Sequence, residues 1–174
     1  MQRRPPTIRG PQTPRRKLRL ELTLIRHGTA QGRAATDADR ALTATGHAEA
    51  ALTGQALSRV TPPPDAFVSS PYRRALETAR DVAAAMGYAG SIDVDPALAP
   101  SAPAEGVVEL VEAFRAIGRA HVVLVAHEPI LSDACALLLG ATFDGFHRGE
   151  MVRLRLGAAI GARAALISRY HPEV

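Results

Sequence analysis

Three short clusters in the chain hold residue types that can bind or attack an anionic group. They are Arg26-His27-Gly28-Thr29, Ser69-Ser70-Pro71-Tyr72-Arg73-Arg74 and Ala126-His127-Glu128-Pro129. A neutral imidazole can attack through one bare ring nitrogen while the other nitrogen donates its proton. A guanidinium presents planar donors that match phosphate oxygens. Glycine lets the backbone turn and come close to a ligand. Taken singly, each cluster has an ordinary reading. Arg26-His27-Gly28 could be a loop, Ser70-Pro71 a helix start, Arg74 a solvated face residue and His127 a structural histidine. Taken together, two arginines and two histidines suit a phosphoryl group, whose transfer needs positioning and charge stabilisation above all.

That reading requires elements that bring positions 26–28, 69–74 and 126–129 to one place. Leu20, Leu22 and Leu24 alternate with Glu21 and Thr23 ahead of Ile25, which predicts a strand running into a glycine turn. Ala48, Ala51, Leu52 and Leu57 predict a helix over 43–59, stopped before Pro62-Pro63-Pro64. Ala66-Phe67-Val68 reads as a short buried strand. Ser70 is then expected as N-cap and Pro71 as the first helical residue. Leu76, Ala79, Val82, Ala83 and Met86 form that helix's apolar stripe, with Gly87 as its stop. Ile92 and Val94 read as a strand, and Val107 to Ile117 as a helix ended by Gly118. The continuous run Val122 to Ala126 predicts a central strand buried on both faces. Pro129 opens a further helix, and strands near 152–156 and 164–169 form a closing hairpin around Gly157 to Gly161.

This order predicts an α/β three-layer sandwich with a mostly parallel sheet. Ligands of such sheets bind beyond the carboxyl ends of the strands. All three clusters fall at such ends, with helix N-termini beside them to hold anions.

Composition narrows the alternatives. The 174 residues suit one domain. A hydrophobic share of 47% is that of a globular chain, not a disordered one. Aromatics reach only 4%, too few for a base-stacking platform. No apolar run approaches the roughly 18 residues of a membrane span. The single Cys135 excludes an internal disulfide and suits a reducing, cytoplasmic compartment. The net charge of +4 is misleading, because residues 1–17 carry six basic side chains and no acid. The rest of the chain holds 15 basic and 17 acidic residues, so the basicity argues weakly for nucleic acid. Residues 1–17, with four prolines and almost no large apolar side chain, are expected to be a disordered basic tail on a domain spanning 18–174. Arginine outnumbers lysine 20 to 1, which reads as GC-rich, bacterial coding bias. His47, His121, His147 and His171 lack metal-ligand spacing, so no metal or other cofactor is expected. Nothing in the sequence specifies an oligomeric state.

The chain resembles the histidine phosphatase superfamily, which includes cofactor-dependent phosphoglycerate mutase. Arg26-His27-Gly28 matches its opening signature, and Ser70-Pro71-Tyr72-Arg73-Arg74-Ala75-Leu76-Glu77-Thr78-Ala79 its second motif. Val125-Ala126-His127-Glu128-Pro129 matches the second histidine, and Arg40-Ala41-Leu42-Thr43-Ala44-Thr45-Gly46 a further segment. The resemblance covers roughly residues 20–157, and the short length is most similar to SixA-type phosphohistidine phosphatases. It implies a metal-independent phosphatase in which His27 is the nucleophile. Arg26, Arg74 and His127 would hold the phosphoryl oxygens, with Gly28 admitting the ligand. Arg33 and Arg40 would line the mouth or a solvated loop, and Thr29 and Ser70 are weaker candidates. The implied partner is protein phosphohistidine, or alternatively a small phosphate ester (or a minor mutase activity), with inorganic phosphate or sulfate able to occupy the pocket. A silent phosphate-binding protein on the same fold is a third reading. One departure stands out: Ala99 sits where many relatives carry an acid, leaving Glu105 and Glu128 as candidate substitutes.

Overall fold

The computed structural model describes residues 19–157 and 161–174. The tail expected over 1–17 lies outside the described residues, as do residues 158–160 of the expected hairpin turn. The elements follow in the order β1 (Leu20–Arg26), α1 (Ala44–Leu57), β2 (Ala66–Ser69), α2 (Arg73–Met86), β3 (Ile92–Val94), α3 (Ala104–Ala116), β4 (His121–Ala126), α4 (Ile130–Leu139), β5 (Met151–Leu156) and β6 (Ala165–Tyr170), with a single 3-10 turn at Pro96–Leu98. The six strands form one sheet in the order β3-β2-β4-β1-β5-β6. The four strands from β3 to β1 run parallel, and β5 and β6 are antiparallel. The expected three-layer α/β architecture is present.

Alternation along the strands separates two cores. Leu20, Leu22 and Leu24 of β1 pack with Val122 and Leu124 against Val107 and Val111 of α3 and Leu131 and Cys135 of α4. Ile25, Val123, Val125 and Phe67 face Ala50 and Leu57 of α1 and Ala79 and Val82 of α2. β4 is buried along all six residues, as its apolar run predicts. In β1 the polar residues Glu21 and Thr23 are also buried, and each is paired. Glu21 accepts from Arg153 and Arg155 on β5, and the Thr23 hydroxyl lies 2.8 Å from His121 Nε2 on β4. Burying a polar group without such partners costs about 1–3 kcal/mol.

One helix start differs from expectation. The second helix begins at Arg73 with Tyr72 as its cap, not at Pro71 with Ser70. Pro71 and Tyr72 form a bend instead; the Ser70 hydroxyl before it accepts the Tyr72 N–H at 3.3 Å and sits 2.8 Å from His127. Among the described residues, no helix is long and apolar enough to cross a membrane.

Sheet register places the functional edge. Arg26 of β1 lies opposite Ala126 of β4, and Ser69 of β2 lies opposite Val125. Neighbouring strands are spaced about 4.8 Å apart. The chain therefore delivers His27, Ser70 and His127 side by side just past three adjacent parallel strands.

Candidate active site

His27 leaves β1 with its backbone N–H still bonded to Ala126 O at 3.0 Å. Its Nδ1 lies 2.7 Å from its neighbour's carbonyl, Gly28 O. A carbonyl can only accept, so Nδ1 carries the proton and Nε2 is bare. The Arg74 Nε–H donates to that bare Nε2 at 3.2 Å. Burial, opposed by the Gly28 carbonyl and reinforced by Arg74 and Arg26, pulls the His27 pKa down to about 4. The imidazole is therefore neutral at physiological pH, as an attacking nitrogen requires.

The turn after His27 is clamped against two helices. Gly28 N–H donates to Thr78 Oγ1 at 3.1 Å, and Thr78 donates onward to Arg74 O at 2.7 Å. Thr29 donates to both oxygens of Glu49, from its N–H at 2.6 Å and its hydroxyl at 2.8 Å. A Cβ on Gly28 would lie 2.6 Å from Gly46 O and 3.0 Å from Gly46 Cα. Both atoms are backbone, so neither can yield cheaply. Gly28→Ala is expected to cost about 1–3 kcal/mol through overpacking, read as a lower urea midpoint, and to lower turnover by displacing His27. An unchanged midpoint would contradict this packing account.

Arg74 rises from the first turn of α2 and is only 5% exposed. Besides His27 it reaches the β1–α1 loop, donating from NH1 to Asp37 O at 2.7 Å and from NH2 to Asp37 Oδ2 at 3.0 Å. Its guanidinium also lies 4.9 Å from the centre of the Tyr72 ring. The His127 ring sits 5.0 Å from the His27 ring and is 2% exposed. Its Nε2 meets Ser70 Oγ, whereas its buried Nδ1 has no hydrogen-bond partner among the described residues. Burial, aided by His27 and Arg74, holds His127 well below the ordinary imidazole range, so it too is neutral. Arg26 donates from NH1 to Phe146 O at 2.6 Å, and its buried Nε has no partner among the described residues. Burial lowers its pKa from the usual guanidinium value. The Arg26 Nε–H could donate to a phosphoryl oxygen, as could His127 Nδ1 in the tautomer whose Nε2 accepts from the Ser70 hydroxyl.

The remaining candidates separate clearly. Arg40 reaches the rim, donating to Asp37 Oδ1 at 2.9 Å and to Gln31 O at 2.6 Å. Arg33 is exposed in the same loop and forms no hydrogen bond to the four central residues. Ser70 belongs to the site through His127, and Thr29 supports the His27 turn. Glu105 is exposed at the start of α3, in a groove with Asp133, Leu137 and Thr142, and is not joined to the histidines. Glu128 has both oxygens engaged, by the Ser132 hydroxyl and by the Phe146 N–H at 2.5 Å. It thus holds the loop that Arg26 also grips and is no free acid. His47 pairs with Asp81, His121 bonds Pro62 O, and His147 stacks on His171. Among the described residues, no group of three or more His, Cys, Asp or Glu could hold a metal ion. Asp37, Glu49 and Phe146 had no signal in the sequence; Thr78 lies in a quoted motif but had no assigned task.

Comparison with known proteins shows the family and the fold. Residues 22–102 match the family model of the histidine phosphatase superfamily, branch 1. The chain is 34% identical over 147 residues to an uncharacterised protein of Picosynechococcus sp., covering 80% of this chain and 87% of that one. It is 30% identical over 128 residues to the phosphohistidine phosphatase SixA homologue of Haemophilus influenzae, covering 70% and 78%. Among solved structures, the protein histidine phosphatase SixA complexed with tungstate superposes with a TM-score of 0.81 at 26% identity, covering 87% of this chain and 96% of that one. Mycobacterial glucosyl-3-phosphoglycerate phosphatase shares the fold, with a TM-score of 0.68 at 21% identity, covering 84% and 96%. The chain belongs to the histidine phosphatase superfamily and is a hydrolase acting on phosphate.

Proposed function

We propose that this phosphatase removes phosphoryl groups from protein phosphohistidine through a transient phosphohistidine of its own on His27, without a metal. The observation that carries the reading is the His27 ring, with Nδ1–H held by Gly28 O and bare Nε2 beside Arg74. In the first step Nε2 attacks phosphorus and the bond from phosphorus to the substrate nitrogen breaks; the electron pair returns to the substrate imidazole, which leaves neutral because its other ring nitrogen already carries a proton. Arg26, Arg74 and His127 surround the phosphoryl oxygens, while Nδ1–H remains on its carbonyl. Water then hydrolyses the phosphorylated His27 to inorganic phosphate. The names of the SixA relatives support this substrate class.

The leaving group supplies a second support. Ala99 stands where an acid is expected, Glu105 is elsewhere, and Glu128 is engaged by the Phe146 loop. General acid catalysis contributes ~10²–10⁴-fold, so its absence weighs most on poor leaving groups. Alkyl phosphates, which depart as basic alkoxides, are expected to turn over slowly. Aryl phosphates and phosphoramidates, phosphohistidine included, are expected to be faster. The test is a single-turnover series in EDTA, using aryl and alkyl phosphates and a phosphorylated histidine phosphotransfer domain. A steep negative slope of log rate against leaving-group pKa, with the phosphorylated domain the best substrate, is the expected result. A flat slope would refute the reading in favour of small phosphate esters, and activity lost in EDTA but restored by a divalent ion would refute metal independence.

A further inference from the structure

Along the carboxyl edge of the sheet, the carboxylates of Glu49, Glu77, Glu128 and Glu150 are committed to holding the frame. Glu49 takes the Thr29 N–H and hydroxyl. Glu77 takes the Leu42 N–H and the Arg73 Nε–H. Glu128 holds Phe146 and Ser132, and Glu150 holds Arg169 and the His147 N–H. Asp37 differs. Its Oδ1 accepts from Arg40 and its Oδ2 from Arg74, yet its side chain is 57% exposed. A carboxylate oxygen can accept two hydrogen bonds, so each oxygen keeps capacity for water.

Its placement is not that of a wandering loop residue. Asp37 O accepts from Arg74 NH1 at 2.7 Å, and the next carbonyl, Ala38 O, accepts the Arg73 N–H at 2.9 Å. The loop is thereby pinned to the first turn of α2. One guanidinium links the carboxylate to the reacting nitrogen: Arg74 Nε touches His27 Nε2, and Arg74 NH2 touches Asp37 Oδ2.

We infer that Asp37 orients the water that hydrolyses phosphorylated His27 and accepts its proton. This rests on the phosphohistidine reading above. The water oxygen forms a bond to phosphorus as the bond from phosphorus to Nε2 breaks. The electron pair returns to Nε2, and the water proton passes to the Asp37 carboxylate and from there to solvent. The released imidazole is neutral, because Nδ1 carries its proton throughout on Gly28 O. The leaving group of this step therefore needs no acid, and only the nucleophile needs help. The Arg40 guanidinium first, and then Arg74, keep the Asp37 carboxyl below the usual aspartate range. Asp37 is consequently ionised at neutral pH, suited to accept a proton and unsuited to donate one. It is also a weak base, so its effect is expected at the low end of the general-base range, ~10²-fold.

Asp37→Asn keeps an oxygen for Arg74 and leaves the backbone carbonyl contact intact. The experiment is rapid-quench turnover of 4-nitrophenyl phosphate by the full chain, following nitrophenol release and acid-labile phosphoryl on protein. The variant is expected to be phosphorylated at the wild-type rate, to dephosphorylate ~10²-fold more slowly, and to accumulate labelled protein. Asp37→Ala is expected to behave likewise and to regain dephosphorylation when formate is added. Equal loss in both steps without accumulation would mean that Asp37 only holds Arg74 in place, and would overturn the inference. Wild-type dephosphorylation in Asp37→Asn would overturn it as well. If the wild-type protein is never labelled, the phosphohistidine reading fails and takes this inference with it. Labelled wild type without accumulation in the variant sinks the inference alone.

Discussion

His27→Ala is expected to abolish turnover and to leave no acid-labile phosphoryl on the protein. The substitution removes the attacking Nε2 and keeps Arg26, Arg74 and His127, so phosphate binding should persist. The fold should persist as well. The main-chain bond from His27 to Ala126 O does not involve the side chain. Circular dichroism with a urea titration distinguishes this outcome from unfolding. Full activity in a folded His27→Ala protein would overturn the assignment of the nucleophile. The pH profile adds a check on the same nitrogen. With a His27 pKa of about 4, no acidic limb near pH 6.5 should arise from this residue in the wild-type profile.

The same depressed value has a consequence for stability. The unfolded chain binds a proton at His27 near the ordinary value of about 6.5, whereas the folded chain refuses it until a lower pH. Stability is therefore fully present above about pH 6.5 and declines as pH falls toward 4. His127 and His121, lowered chiefly by burial, act with the same sign. Urea midpoints that rise on acidification through this range would contradict the buried, neutral state of these rings.

Arg74→Ala carries the second largest effect. Arg74 is nearly buried and its Nε–H donates directly to His27 Nε2. Loss of a charge-assisted donor should weaken phosphate or vanadate binding by about 1.5–3 kcal/mol, roughly 10- to 150-fold in Kd. Loss of a donor aimed at developing charge typically costs about 10²–10³-fold in kcat, so turnover should fall further than ground-state binding. Arg74→Lys should recover little, because an ammonium cannot span His27 and Asp37 as the planar guanidinium does. Competition by vanadate against 4-nitrophenyl phosphate measures the binding loss, and kcat measures the rest. Wild-type inhibition and turnover in Arg74→Ala would remove it from the anion pocket.

The residue set and its order at the strand ends were legible in the sequence. Period-2 and period-3.6 patterns, with Gly87 and Gly118 as stops, are local signals carried by neighbours within a turn or two. The run Val122 to Ala126 alone announced a strand buried on both faces. Ser70 misled for a related reason. As a local signal it is a good cap, but a hydroxyl can serve a partner 57 positions away, and here it meets His127.

What only tertiary structure decided depends on contacts between distant positions. The His27 tautomer follows from how the glycine turn folds back, and the neutrality of both histidines follows from burial between two helices and a sheet. Glu128, a candidate acid in the sequence, is instead a clamp on Phe146, which Arg26 grips from 120 positions away. Glu21 and Thr23 look like the wet face of a strand, but strand order makes β1 central and supplies Arg153, Arg155 and His121 as partners. Asp37 had no sequence signal, since a carboxylate in a polar loop is common; its meeting with Arg74 arises when the β1–α1 loop docks on α2. Local patterns select elements because propensity and turn chemistry act over a few residues. Register, docking and burial act across the whole chain, and they determine which charged groups meet, which titrate and which are held apart.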